Sequence, residues 1–276
     1  PVIFMKEHID NIKKNGYTIL KDVITAEECD HYKGLLEATF EKYSPKYYTD
    51  QSKSSHSLQS KINEKVVYNL HNKDMDWYKL FENENVASIL DVMLKEGSYK
   101  NQEPYHLLNI SARTPLNGTG EQQLHLDSNL PGGDFPIIMV VLWMFDDFTK
   151  ESGATRIVPG SHKFSSYALD GKSYESEIQA VGKKGSVLIY NASLWHGGAN
   201  NMTNRTRWSL VLGYGRWFIK PSYDFFKNTP DAIYQKLSDA QKELLGFKSA
   251  PPIDEFTRTR RRSDIFESPN EYNLPK

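Results

Sequence analysis

Two of the eight histidines in this chain stand where their spacing could do chemistry. His125 and Asp127 are two residues apart in an alternating stretch. On an extended backbone their side chains share one face, and Leu124 and Leu126 share the other. One imidazole and one carboxylate are thereby aimed at a common point. His196 lies farther on, in a Trp-His-Gly-Gly segment whose glycines let the backbone approach closely. Two histidines and a carboxylate on one face of an octahedron leave three positions open, the ligand set of non-haem Fe(II) oxygenases. Alone the pattern is weak, because hydrogen-bonded histidines at strand ends produce it too and short motifs recur by chance. A zinc hydrolase could use the same three ligands, although no glutamate is placed like the base of a zincin helix.

Arg207 adds weight. It opens the strand-like stretch after His196 and shares a face with Ser209, while Trp208, Leu210 and Leu212 take the other. A guanidinium fork beside a hydroxyl suits a carboxylate clamped inside a barrel. A surface ion pair is the plainer reading of an isolated arginine, but this one completes a set.

The elements that must position these residues change character along the chain. Residues 1–100 read mostly helical. A helix near Lys6–Lys14 stops at Gly16, a short strand covers Tyr17–Val23, and Thr25 with Glu28 forms a capping box. The helix it opens carries Tyr32, Leu35, Leu36, Phe40 and Tyr43 on one stripe. Ser44–Lys65 is polar and aperiodic and reads as a long loop, and Val86–Leu94 returns to helical spacing. From Tyr105 the period is that of strands: Tyr105–Arg113, Gln122–Ser128, Ile137–Phe145, Thr155–Val158, Glu177–Val181, Ser186–Tyr190 and Arg207–Trp217. Turn signals separate them, and Ile137–Phe145, apolar on both faces, reads as central. Helices resume after Pro221, with Thr229–Pro230 as a start and Gly246 as a stop. These patterns predict a single domain over 1–276: a helical part over about 1–100, a β-sandwich or barrel core over about 101–220, and a helical part over about 221–276.

The segments GEQQLHLDSN, VVLWMFDDFTKESGATRIVPGSHK, GSVLIYNASLWHGGANN and RTRWSL resemble the phytanoyl-CoA dioxygenase (PhyH) family of Fe(II)/2-oxoglutarate oxygenases. The likeness runs from Gly16 to the LLGFKSAPP segment and so spans most of the chain. It implies a mainly β fold with flanking helices, the double-stranded β-helix or cupin-like jelly roll. It also implies that His125, Asp127 and His196 bind Fe(II) and act in catalysis, and that Arg207 and Ser209 hold the far carboxylate of 2-oxoglutarate. Trp143 matches a position that lines the co-substrate pocket in relatives, and Thr155 could add a hydroxyl there. Asn109 and Gln123 join the cofactor-binding set by strand alternation alone. Related iron halogenases carry a small residue at the carboxylate position, so Asp127 favours hydroxylation. The expected reaction uses O2 and 2-oxoglutarate, releases succinate and CO2, and hydroxylates a small or medium organic substrate. The alternative is a non-catalytic jelly-roll binding protein with a vestigial site.

Composition narrows the rest. Thirty-four basic against thirty-five acidic residues leave a formal charge of −1, so no overall field points to nucleic acid or to anionic membrane. The longest apolar run is too short to span a bilayer, no signal peptide is visible, and the single cysteine excludes an internal disulfide. A cytoplasmic location is the expectation, with any metal held by His, Asp or Glu. His162 and His106 read as turn and strand-edge residues, Cys29 as a buried inert thiol, and Asp146–Asp147 as a solvated turn. Arg113 could reach an anionic substrate or co-substrate. Substrate choice is expected to lie with Ser44–Lys65, Asn129–Phe135 and the C-terminal region, where Arg258, Arg260, Arg261 and Arg262 form the most basic spot.

Overall fold

Ile138–Met144 is the hub around which the chain is organised. The computed structural model describes residues 2–50, 64–98, 104–133 and 135–249. In chain order the elements are α1 (Val2–Asn15), β1 (Tyr17–Leu20), α2 (Ala26–Asp50), β2 (Glu64–Tyr68), α3 (Tyr78–Phe81), α4 (Glu84–Lys95), β3 (Tyr105–Pro115) and β4 (Ile138–Met144). They continue as β5 (Arg156–Ile157), β6 (Ile178–Gln179), β7 (Val187–Asn191), β8 (His196–Gly197), β9 (Ser209–Arg216), α5 (Phe225–Asn228), α6 (Asp231–Tyr234) and α7 (Asp239–Leu244). A six-stranded sheet runs β1-β7-β4-β9-β3-β2, and a three-stranded sheet runs β6-β5-β8. The pairs are antiparallel throughout. The two sheets make the jelly roll that the family resemblance implies.

Strand alternation divides the large sheet into two unlike faces. Met139, Val141 and Trp143 of β4 join Leu210, Leu212 and Tyr214 of β9 in one core with Ile12, Leu36, Trp77 and Leu90 from the helical layer. At roughly 1.5–3 kcal/mol for each fully buried Val, Leu, Ile or Phe side chain, this outer layer supplies most of what holds helices to sheet. The opposite face of β4 carries Val140, Leu142 and Met144, which pack with Leu188, Tyr190, Phe148, Ala154 and Ile157 inside the barrel. Leu126, Val158 and Trp195 form a smaller third cluster, with Leu124 against it.

Several elements differ from their sequence expectations. Helix α2 continues past Pro45 to Asp50, and β2 begins at Glu64, so Ser44–Lys65 is not one loop; residues 51–63 lie outside the described residues. A missing apolar stripe reports a missing buried face, and it says nothing of the backbone. Gln122–Ser128 is not a continuous strand, because its amides go to separate partners: Gln122 N–H to Gly198, His125 N–H to His196, and Asp127 N–H to Ala192. Thr155–Val158 and Glu177–Val181 shrink to β5 and β6. After Pro221 the described residues form three short α-helices, the last opened by a capping box of Ser238 and Gln241. The run Arg258, Arg260, Arg261, Arg262 lies outside the described residues. Among the described residues no helix is long and apolar enough to cross a membrane.

Candidate metal and co-substrate site

His125 and His196 meet through backbone hydrogen bonds before their side chains meet at all. They form an isolated antiparallel bridge, and β8 extends from it to pair with β5 through Ile157↔His196. Gly197 makes this approach possible: a Cβ there would fall 2.8 Å from the Gln122 carbonyl oxygen and 3.1 Å from that of Gln123. Each imidazole is then oriented by the carbonyl two residues before it. His125 Nδ1 lies 2.9 Å from the Gln123 oxygen, and His196 Nδ1 lies 2.9 Å from the Leu194 oxygen. A carbonyl only accepts, so both rings carry hydrogen on Nδ1 and, when neutral, present the Nε2 lone pair inward.

Asp127 completes the cluster. Its Oδ1 is 3.6 Å from His125 Nε2 and its Oδ2 is 3.2 Å from His196 Nε2. One ligand atom from each of the three residues can be chosen with all three within 4.8 Å of one another. The Asp127 side chain is 36% accessible, yet the barrel around it removes enough solvent to oppose its charge. The positive charge of His196, with further pull from both neighbouring imidazoles, overrides that, holding the carboxyl well below the ordinary range. Burial opposes the charge on His196, but Asp127 and the Leu194 carbonyl raise its pKa above 6.5. Nitrogen and carboxylate donors with this convergence fit a divalent first-row transition metal.

Arg207 is the second half of the candidate site. It is buried, its guanidinium carbon lies 4.2 Å from the Phe148 ring centroid, and among the described residues its Nε and Nη1 have no hydrogen-bond partner. Phe148 belongs to the same interior cluster as Tyr190, whose hydroxyl reaches the histidine–aspartate group. Burial lowers the Arg207 pKa to about 10 against the pull of Glu64 and Asp146. Buried guanidinium nitrogens without hydrogen-bond partners are costly, and an anion placed against them removes the cost. Its backbone is fixed from both sides. Arg207 N–H donates to Thr114 Oγ1 at 2.7 Å. The next residue, Trp208, donates its backbone N–H to Asp146 at 2.8 Å and its indole N–H to Glu37 at 2.6 Å. Asp146 also accepts from Lys33 at 2.6 Å, so it is a structural tie and not a solvated turn.

The remaining candidates divide. Ser209 is buried opposite Met144 on the inner face and donates to the Arg113 carbonyl at 3.2 Å. Trp143 does not share that face. It pairs with Leu210 in the outer core, so the expectation that it lines the co-substrate pocket is corrected: alternation puts Met144, not Trp143, beside Ser209. Asn109 uses its Oδ1 to accept the Gly213 N–H at 2.9 Å, where the β3–β9 register shifts. Thr155 is buried just before β5, and its carbonyl accepts from Ala180 N–H. Gln123 contributes the carbonyl that orients His125. Arg113 sits opposite Ser209 in register, 3.9 Å from Glu64, and its charge is felt at both Arg207 and Tyr190. His162 and His106 lie apart from the group, bound to the carbonyls of Lys13 and Ile219. Cys29 is buried, and burial pushes its thiol up to about 11. The segment from Asn129 to Gly133 is tied down by Tyr167, which donates to the Asn129 carbonyl, and by Ser128 and Ser193, which donate to that of Leu130.

The sequence reading missed Tyr190. Its hydroxyl lies 3.2 Å from Asp127 Oδ2 and 3.2 Å from His196 Nε2. In an all-apolar strand it reads as one more core aromatic. Its even spacing from Leu188, an inner-face residue, is the signal that places it inside.

Comparison with known proteins follows the same lines. The model of the family "Phytanoyl-CoA dioxygenase (PhyH)" matches residues 12–209. The dioxygenase trt7 of Aspergillus terreus is 24% identical over 258 residues, covering 90% of this chain and 86% of that one. HygX of Streptomyces hygroscopicus, solved with nickel, 2-oxoglutarate and hygromycin B, superposes with a TM-score of 0.61 at 15% identity, over 78% of this chain and 88% of that one. The epimerase SnoN, solved with Fe3+, alpha-ketoglutarate and nogalamycin RO, gives a TM-score of 0.62 at 14% identity, over 82% of this chain and 90% of that one. At such identities the two structures speak for the fold.

Proposed function

The chain belongs to the phytanoyl-CoA dioxygenase (PhyH) family and is an Fe(II)- and 2-oxoglutarate-dependent dioxygenase, and from that premise we propose which of its residues do the work. His125, Asp127 and His196 hold the iron. Arg207, with Ser209 beside it, holds the far carboxylate of 2-oxoglutarate. The substrate is a small or medium organic molecule that leaves hydroxylated, and residues 1–276 act as one catalytic unit, since β1 and β2 of the N-terminal part pair within the main sheet.

The observation that carries this reading is a complete donor set and a buried guanidinium with two nitrogens unpaired among the described residues, linked through Tyr190 and Phe148 of one interior cluster. When bound, iron and 2-oxoglutarate supply the oxidising chemistry, consuming O2 and releasing succinate and CO2. The protein supplies the rest. Gln123 and Leu194 fix the imidazole tautomers, so that each ring, once neutral, carries its lone pair on the inward Nε2. Thr114, Asp146 and Glu37 fix the backbone and ring around Arg207, so its guanidinium is in place before an anion arrives. Val140, Leu142, Phe148 and Ile157 line the interior with apolar surface that excludes water. A non-catalytic binding protein would not need an intact donor set and an unpaired arginine together.

Screening small organic compounds by substrate-coupled succinate release tests this. Release that requires Fe(II), 2-oxoglutarate and His196 supports the assignment; release that persists in His196→Ala refutes it.

A further inference from the structure

Buried tyrosines elsewhere in this protein donate their hydroxyls to backbone carbonyls: Tyr214 to Phe81 at 2.7 Å and Tyr78 to His71 at 3.2 Å. Tyr190 does not. Its ring is buried in the barrel interior with Leu188 and Leu142, 4.8 Å from the His196 ring, and its hydroxyl stands between Asp127 Oδ2 and His196 Nε2. Burying a phenol requires a partner for its O–H, and here both available acceptors are side chains of the metal-binding group.

The two acceptors are not equivalent once a metal is present. His196 Nδ1 faces the Leu194 carbonyl, so Nε2 is the ring's only lone pair, and a metal takes it. The phenol O–H is then left to Asp127 Oδ2. The other carboxylate oxygen, Oδ1, lies toward His125. On the metal-site reading above, we infer that Tyr190 is a positioning residue for the metal-binding carboxylate: its hydroxyl donates to Asp127 and fixes the rotation of that group. Asp127 has few other restraints. Its backbone N–H goes to Ala192, and among the described residues the side-chain contacts of its carboxylate are those with His125, His196 and Tyr190.

The test is Tyr190→Phe, which keeps the ring and removes one oxygen. The full chain is titrated with Co(II) alone, without oxygen or 2-oxoglutarate, beside the same substitution in an Asp127→Ala background. Partners of metal ligands typically change metal affinity about 10–100-fold when removed, and Tyr190→Phe is expected to weaken Co(II) binding within that range. In the Asp127→Ala background it is expected to cost nothing further. Thermal unfolding of the metal-free variant shows that the fold survives. Wild-type affinity in Tyr190→Phe overturns the inference, and so does an equal loss in both backgrounds, which would mark a general packing role. Wild-type protein that takes up no Co(II) overturns the metal assignment beneath it, so the two failures are distinct.

Discussion

His125 and His196 are joined backbone to backbone: His125 N–H donates to the His196 carbonyl at 2.8 Å, His196 N–H to that of His125 at 2.9 Å, and the ring centroids lie 4.3 Å apart. Two proposed ligands far apart in sequence are thus placed by a single pair of amide hydrogen bonds. The spacing of the candidate metal site is a property of the sheet edge as much as of the side chains.

Gly197 and Gly198 separate these two contributions. A Cβ at Gly197 would press within 3.0 Å of the Gln122 backbone, whereas at Gly198 the nearest atom is the Gln122 side-chain oxygen at 3.6 Å. Gly197→Ala should push the His125 segment away and weaken metal binding at least tenfold, and Gly198→Ala should leave it near wild type. Parallel Co(II) titrations of the two variants decide this.

Arg207→Ala should weaken 2-oxoglutarate binding by about 2–5 kcal/mol, the range for truncating a buried charge pair. The metal-free protein should unfold at nearly the same urea concentration. Loss of stacking over Phe148, roughly 0.5–2 kcal/mol, is offset by removing a charge whose pKa burial has already lowered to about 10. Calorimetric titration with 2-oxoglutarate and a urea melt measure the two halves; a sharp stability loss would make Arg207 structural.

Metal binding should release protons. Asp127 and Leu194 outweigh burial and raise the His196 pKa above 6.5, so the charged ring's pairing with Asp127 stabilises the metal-free fold fully below 6.5 and is lost as pH rises through the raised value. A metal needs the neutral ring. Apparent Co(II) affinity should therefore climb with pH through that region, with proton uptake or release read by calorimetry in buffers of different ionisation enthalpy.

Glu37 ties α2 to the strand of the arginine clamp through Trp208 and to β2 through Lys65, at 2.6 and 2.7 Å. Burial opposes its charge, but these two hydrogen bonds hold its pKa below 4.5. The stabilisation is present above 4.5 and lost as pH falls through the depressed value. Glu37→Gln should cost about 1 kcal/mol at neutral pH, the low end for a bond to a charged group that is partly solvated. The difference from wild type should vanish in acid, and urea melts across the pH range follow it.

How far the sequence reveals this site depends on which residues share a local signal. The His125–Asp127 spacing is legible because alternation survives where the strand itself breaks up: Leu124 and Leu126 still pack together on the far side. Arg207 and Ser209 are legible for the same reason. Trp143 fails because the likeness to relatives alone placed it in the pocket, and β4, apolar on both faces, offers no alternation to check that placement. Tyr190 is hidden in the same way on β7. Glu64, whose charge reaches Arg113, is invisible because β2 opens in a polar stretch, and its pairing with β3 is a long-range event. Asp146 reads as a turn from sequence because its partner amide, at Trp208, is brought to it only by the β4–β9 pairing.

Anaerobic addition of Fe(II) and then 2-oxoglutarate tests the central claim most directly. If His125, Asp127 and His196 hold the metal within reach of a co-substrate anchored on Arg207, a weak visible metal-to-ligand charge-transfer band will appear only when both are present. It will vanish in His196→Ala and need far more 2-oxoglutarate in Arg207→Ala. No band in the wild-type protein, or an unchanged band in His196→Ala, would contradict it.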